Sequence, residues 1–369
     1  KHRIGIDDNK DYEFVRDFVG KVRDAGCTLF YVHSRCAMSN LSPKKNRKIL
    51  TIFPNCWFAF MGLGDSVSTI TNIDASSSMV NFNISLPNNN LVLMLGGGND
   101  FINFGSGQLQ ANLGAGDDTI IIRDSRVPTN QSSIEMGLGD DYVDVTGGTN
   151  VISLGEGNDA ARLNRGSNTV QGENGDDRIT VADGTNRIFG GLGNDYITIN
   201  SGFNTINSGA GNDTIYLAGG TSEINTGVGD DTIIIVDGLI NINVESLDGA
   251  DGTDTLNVYS NGNVTLPAFR NIENVFISDT VHQTLDFSFS STLSGIELDS
   301  GSTVDGATIT TTLGEGQSLT LDSITDGDTA AASLADGGIV IAQDASINSL
   351  DLTLDGVGPA TSTPNENVF

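Results

Sequence analysis

One phrase, Gly-x-Gly-(Asn or Asp)-Asp, returns through the middle of this 369-residue chain at an almost constant interval. Successive final aspartates are 18 residues apart, except for two intervals of 23 residues that each contain five additional residues. A fixed period means that one supersecondary unit is copied and stacked, so the sequence predicts a solenoid. The repeated aspartates are Asp100, Asp118, Asp141, Asp159, Asp177, Asp195, Asp213, Asp231 and Asp254.

Eighteen is twice nine, and most periods contain a second, weaker half-repeat nine residues after the aspartate. The apolar residue two positions after an aspartate should point inward, because strand side chains alternate between faces. These inward positions are Ile102, Ile120, Val143, Ile179, Ile197, Ile215 and Ile233. We therefore expect a mainly β fold, a right-handed parallel β-roll or β-helix solenoid with 18-residue turns over residues 91–258.

The phrase also has a chemical meaning. Glycine permits positive φ and close backbone approach, so carbonyl oxygens can point into the gap between turns. Each aspartate adds carboxylate oxygen from its own turn, and a set of oxygen ligands suits Ca²⁺ rather than Zn²⁺ or a redox metal. We expect one column of calcium ions along the nine aspartates, with the best sites in the regular gaps between Asp141 and Asp231.

Two metal-free interpretations compete with this one. Gly-Asn-Asp is ordinary turn chemistry that any solenoid needs. The opposite edge of the coil carries asparagine or serine in place of aspartate, and there we expect an inward hydrogen-bonding ladder rather than a metal column. The residues of that edge are Asn150, Asn168, Asn186, Asn204 and Ser222.

One copy, Gly190 to Thr198, matches the nonapeptide G-G-x-G-x-D-x-U-x at every defined position, where U is a large apolar residue. It resembles the repeats-in-toxin calcium β-roll. The resemblance implies a bacterial protein that is secreted or held at the cell surface after type I export, and residues 365–369 resemble the signal for that export.

Residues 266–275 and 293–298 resemble S-layer and large adhesin-like proteins. The implied role is structural or adhesive, with cell surfaces, polysaccharide or like chains as partners.

Charge divides the chain sharply. The net charge is −29, but residues 1–50 carry +5 and the remaining residues carry −34, with no lysine among them. All three cysteines precede residue 57. A long acidic tract without cysteine is typical of calcium-stabilised extracellular proteins, and it argues against nucleic-acid binding by the repeats. No run of 18 apolar residues predicts a membrane span, and no apolar signal segment follows Lys1.

Residues 1–50 predict a separate α/β fragment: a strand at 3–6, an amphipathic helix at 12–25 and a strand at 29–33. The runs KHRIGIDD (1–8), YEF (12–14), VHSR (32–35) and LSPKKNR (41–47) resemble A-type tRNA dihydrouridine synthases. Those are flavin enzymes on a (β/α)₈ barrel that reduce tRNA uridine with NADPH. By resemblance, Lys1 and His33 contact FMN, while Lys44 and Arg47 contact tRNA.

The alternative function is therefore a cytoplasmic tRNA dihydrouridine synthase. The family's catalytic Asn-x-Gly-Cys-Pro-Ser motif and its glycine-rich FMN-phosphate loop are missing from this sequence. No zinc-protease, nucleophile-elbow or P-loop phrase is present either. We expect that this chain does not reduce uridine, and the sequence offers no catalytic constellation elsewhere, so whether it is an enzyme stays open.

Two further regions complete the predicted organisation. Residues 51–90 form a junction, in which Val80, Phe82 and Ile84 alternate as a strand that begins the coil. Residues 259–369 predict an irregular β-helical extension with short strands separated by Gly, Asp and Ser. A third functional interpretation is an ice-binding face, whose candidate row is Thr149, Ser167, Thr185, Phe203 and Thr221.

Overall fold

The computed structural model describes residues 72–88, 90–123, 131–237 and 242–260, together with 269–278, 293 and isolated strands elsewhere. The chain divides into two compact units, residues 1–177 and 178–369. No helix occurs among the described residues, and none there could cross a membrane. The strand expected at 3–6 and the helix expected at 12–25 lie outside the described residues.

Among its described residues, the first unit has twelve strands, and they form two parallel stacks. They are β1 Leu29–Tyr31, β2 Leu50–Thr51, β3 Trp57–Ala59, β4 Asn72–Asp74, β5 Asn83–Asn88, β6 Leu91–Met94, β7 Phe101–Ser106, β8 Leu109–Ala115, β9 Thr119–Ile122, β10 Gln131–Leu138, β11 Tyr142–Glu156 and β12 Ala160–Asn174. One stack runs β5, β7, β9 and β11, and the other runs β4, β6, β8, β10 and β11, since β11 is long enough to serve both. This is the alternation expected of a two-sided solenoid.

The second unit repeats the arrangement and extends it. Its strands are β13 Arg178–Val181, β14 Thr185–Leu192, β15 Tyr196–Ile199, β16 Phe203–Ala210, β17 Thr214–Leu217, β18 Gly220–Val228, β19 Thr232–Asp237, β20 Ile242–Asp251, β21 Thr255–Ser260, β22 Phe269–Arg270, β23 Asn274–Ser278, β24 Gln283–Asp286, β25 Gly295–Asp299, β26 Ile309–Leu313, β27 Ser318–Asp322, β28 Ile339–Gln343 and β29 Asp351–Asp355. β13, β15, β17, β19 and β21 stack in parallel, and β14, β16, β18, β20 and β22 form the other stack.

The predicted extension after residue 258 is also parallel. β21, β23, β25, β27 and β29 continue one stack, whereas β24, β26 and β28 form a separate three-stranded sheet. Gly295 pairs with Ser318, 23 residues later, and Ser318 pairs with Asp351, 33 residues later, against 18 in the regular repeats. The fold prediction of a β-solenoid is therefore confirmed, with longer connections where the Gly-x-Gly phrase is lost.

The core of each unit consists of columns of apolar side chains contributed by successive turns. In the first unit Ile102 pairs with Ile120, and Ile120 with Val143. In the second, Ile197 pairs with Ile215 and so continues the pattern. Every residue predicted to point inward is buried. Burying an aliphatic side chain stabilises the folded state by about 1.5–3 kcal/mol. Because the turns stack, each turn buries the apolar face of its neighbour.

The additional five residues of the first 23-residue interval leave the stacking register intact, whereas across the second interval the pairing of β18 with β20 shifts by one residue between Ser222 and Glu223. In the first unit Ile134 of β10 pairs with Ala111 of β8, although residues 124–130 intervene. At the start of the coil Phe82 and Ile84 are buried as predicted. Val80 is only partly buried, and the strand begins after it, at Asn83.

Candidate functional site

The repeat aspartates lie in a buried column at the turn that follows each Gly-x-Gly. They are between 0 and 3 % exposed. Within each unit the backbone N–H of one aspartate donates to Oδ1 of the aspartate one turn later, as in the 2.7 Å bonds from Asp100 to Asp118 and from Asp213 to Asp231. The same bond joins Asp118 to Asp141 across a 23-residue interval. One oxygen of each accepting carboxylate therefore fixes the spacing between turns.

The other carboxylate oxygen, Oδ2, is buried as well. It has no hydrogen-bond partner in Asp100, Asp118, Asp141, Asp159, Asp213, Asp231 and Asp254. A buried polar oxygen without a partner is costly, and a buried charge is more so. Such an oxygen is stabilised either by a proton on the carboxylate or by a cation.

The burial of these carboxylates changes their pKa values. Burial raises the pKa of Asp100, Asp118, Asp141 and Asp213 to about 7. Burial likewise raises the pKa of Asp159 and Asp254 to about 6 and that of Asp231 above its usual value. In each case a hydrogen bond from a backbone N–H lowers the pKa and so opposes the effect of burial. Neighbouring acidic side chains raise the pKa further for each of these aspartates except Asp100. Near neutral pH the column therefore requires protons or cations.

Glycine keeps side chains out of the gap between turns. Gly114 and Gly116 have positive φ values of 103° and 123°. A Cβ on Gly114 would overlap the carbonyl oxygen of Gly96, and one on Gly211 would overlap that of Gly193. The carbonyl oxygens of one turn thus point at the glycines of the next, as the sequence predicted.

This set of donors fits calcium. Buried carboxylate oxygens and backbone carbonyls are hard oxygen ligands, which Ca²⁺ takes in numbers of six to eight. Among the described residues no group of three or more His, Cys, Asp or Glu side chains could hold a metal ion by itself. An ion here would therefore depend on paired aspartates supplemented by backbone carbonyls, a combination that is poorly suited to zinc.

A second ladder, which the sequence did not lead us to expect, runs along the residue before each aspartate. The side-chain oxygen of Asn158 accepts a 2.8 Å hydrogen bond from the backbone N–H of Asp176, and Asn212 accepts one of 3.0 Å from Asp230. Here the earlier turn provides the side chain, whereas in the aspartate column the later turn provides it. The signal was present in the sequence, since this position is Asn or Asp in every copy except Thr253.

The opposite edge forms the predicted asparagine ladder. Asn150 Nδ2 donates to Asn168 Oδ1 at 2.7 Å, and Asn186 Nδ2 donates to Asn204 Oδ1 at 2.9 Å. The same amide of Asn204 also donates to the carbonyl of Ser201. Because an amide both donates and accepts, this edge satisfies its buried polar groups without an ion.

Comparison with known families supports both halves of the sequence interpretation. The family model for the RTX calcium-binding nonapeptide repeat matches in four copies, at residues 92–108, 137–161, 164–197 and 198–233. The chain therefore carries RTX repeats. The dihydrouridine synthase model matches residues 1–53. Asp118 and Asp254 lie outside the matched repeats, and the structure places them in the column with the others.

Well-described proteins resemble the N-terminal segment of the chain. It is 58% identical to a tRNA-dihydrouridine(20/20a) synthase of Pasteurella multocida and 56% identical to that of Pseudomonas putida, each over 50 residues. These matches cover 13% of this chain and 15% of each relative. No solved structure matches the chain. Lys1, His33, Lys44 and Arg47 lie outside the described residues, so their roles remain predictions.

Proposed function

We propose that this chain is a secreted, calcium-binding structural protein whose repeats fold on binding Ca²⁺ between successive aspartates. The observation that carries the proposal is the set of buried Oδ2 atoms without hydrogen-bond partners in otherwise well-bonded turns. The RTX repeats match the same region.

The two oxygens of each aspartate carboxylate have different roles. In the folded turn Oδ1 accepts a backbone N–H and holds the side chain in position, so Oδ2 has a fixed orientation. Paired aspartates of adjacent turns, such as Asp213 and Asp231, together with glycine carbonyls, would hold the ion. A bound Ca²⁺ supplies the positive charge that neutralises neighbouring carboxylates.

The proposed setting follows from the requirement for calcium. A fold that is stabilised by many calcium sites of moderate affinity is stable where the calcium concentration is millimolar, as it is outside cells. The 41 acidic residues after residue 50, against seven arginines, keep such a surface soluble and repel nucleic acid. We therefore propose a bacterial adhesin-like or S-layer-like role, with cell surfaces, polysaccharide or like chains as partners.

Isothermal titration of Ca²⁺ into the full chain tests the proposal. Each internal aspartate is shared by two neighbours, so Asp141→Asn should lower the number of bound ions by two. Asp144→Asn, a neighbouring acid on the outer face, is the matched control and should bind as the unaltered chain does. Absence of calcium binding by the unaltered chain would refute the proposal.

A second candidate, tRNA dihydrouridine synthase, rests on the identity of residues 1–50 to those enzymes. Under it Lys1 and His33 would contact FMN, and Lys44 and Arg47 would contact tRNA. The chain spans about 15% of the length of those relatives. The purified chain should be colourless, and stoichiometric flavin absorbance near about 450 nm would instead favour this candidate, because cofactors carry their own chemistry.

A further inference from the structure

The aspartate column continues one step beyond its last aspartate. The backbone N–H of Asp254 donates a 2.8 Å hydrogen bond to Oε2 of Glu273. The corresponding bonds of the preceding turns end on an aspartate Oδ1, as those accepted by Asp118 and by Asp254 itself do. Glu273 thus takes the place that an aspartate holds in the repeats, although no Gly-x-Gly phrase precedes it and the RTX matches end at residue 233.

The turn that carries Glu273 is shorter than a repeat turn. β20 and β22 pair Asp248 with Arg270, which places Gly249 opposite Asn271. Asp254 lies five residues after Gly249, whereas Glu273 lies only two residues after Asn271. The additional methylene of glutamate compensates for the lost turn and brings its carboxylate back to Asp254.

Asp248 holds this short turn in place. Its carboxylate accepts a 2.7 Å charged hydrogen bond from Arg270 Nε and a 2.8 Å bond from Asn271 Nδ2. Asn271 adopts φ of 52°, a left-handed conformation that asparagine tolerates. The charge of Asp248 is therefore already paired with a cation, whereas the charges of Asp254 and Glu273 repel each other.

Oxygen atoms converge beside Gly249. Asp254 is 0 % exposed, and its Oδ2 is buried without a hydrogen-bond partner. A Cβ on Gly249 would overlap both this Oδ2 and the carbonyl oxygen of Asn271. Two oxygens thus face the same small space, which only glycine leaves open.

We propose that Asp254, Glu273 and the carbonyl of Asn271 form a further calcium site that closes the column at its C-terminal end. This site rests on the proposed calcium-binding function, because it uses the same column. It differs from the repeat sites in using a glutamate and a turn without Gly-x-Gly. Hard oxygen donors of this kind take a divalent cation such as Ca²⁺.

Counting bound Ca²⁺ on the full chain by native mass spectrometry, with circular dichroism in parallel, tests the site. Glu273→Gln keeps an oxygen that accepts the Asp254 N–H but removes the charge, so the fold should persist with one ion fewer. Glu223→Gln, on the exposed face of β18, should leave the count unchanged. An unchanged count in Glu273→Gln would show that Glu273 only caps the backbone and would overturn the site.

Glu273→Asp provides an independent check if the glutamine variant does not fold. It keeps the charge but shortens the side chain by one methylene, so it should also lose one ion, and a full count would overturn the proposal. Failure of the proposed function would give a different result, because the unaltered chain would then bind no calcium at all.

Discussion

The backbone N–H of Asp213 donates to Oδ1 of Asp231 at 2.7 Å, while Oδ2 of Asp231 is buried without a hydrogen-bond partner. One carboxylate therefore does two things: one oxygen sets the spacing of the turns, and the other is left for a cation or a proton. Substitutions that separate these two effects give the most informative predictions.

Asp213→Asn should raise the stability of the calcium-free protein and lower the stability of the calcium-bound protein. The amide oxygen still accepts the N–H of Asp195, and the buried charge is removed. We expect higher stability without calcium, because a neutral amide avoids the cost of burying a carboxylate charge. Urea unfolding followed by circular dichroism measures both effects. Asp230→Asn, on the exposed ladder, is the control, and an equal response from it would contradict the account.

The calcium-free protein should be more stable in mild acid than at neutral pH. The folded-state pKa of Asp100, Asp118, Asp141 and Asp213 is about 7, raised from 3.8 mainly by burial. Between these values the folded chain binds more protons than the unfolded chain, so stability falls as pH rises from about 4 to about 7 and then levels off. Chelated protein should resist urea better at pH 5 than at pH 8. Equal or greater resistance at pH 8 would argue against buried carboxylates in the folded state.

Two substitutions in the turns should have opposite signs. Gly211→Ala should destabilise the fold, because its φ is 134° and the new Cβ would overlap Gly193 O. Ala250→Gly should stabilise it by about 1 kcal/mol, because Ala250 already has φ of 66° where every other copy except that of Glu173 has glycine. Thermal unfolding in calcium compares them. Stabilisation by Gly211→Ala would show that the turn geometry is wrong.

The asparagine edge should not gain an ion when it is made acidic. Asn204→Asp removes the amide that donates to Ser201 O and adds a buried charge. We expect lower stability and no additional bound calcium, as measured by titration. An additional ion in this variant would mean that the two edges of the coil are chemically equivalent.

Much of this account could be predicted from the period alone. The 18-residue interval fixes which aspartates stack and which isoleucines point inward, since every turn repeats the same geometry. The period says nothing about hydrogen bonds between turns, so the exposed ladder of Asn158 and Asp176 was missed. It also could not identify Glu273, because a shorter turn and a longer side chain combine to reach the same place.

The dependence of folding on calcium is the most direct test of the central claim. Circular dichroism of the full chain at pH 7.5 should show strand signal that appears on adding Ca²⁺ and is lost on adding a chelator, because the ion replaces protons on buried aspartates. Magnesium at the same concentration should be much less effective, since it demands a smaller and more rigid site. A spectrum that is equally β-rich with and without calcium would contradict the account.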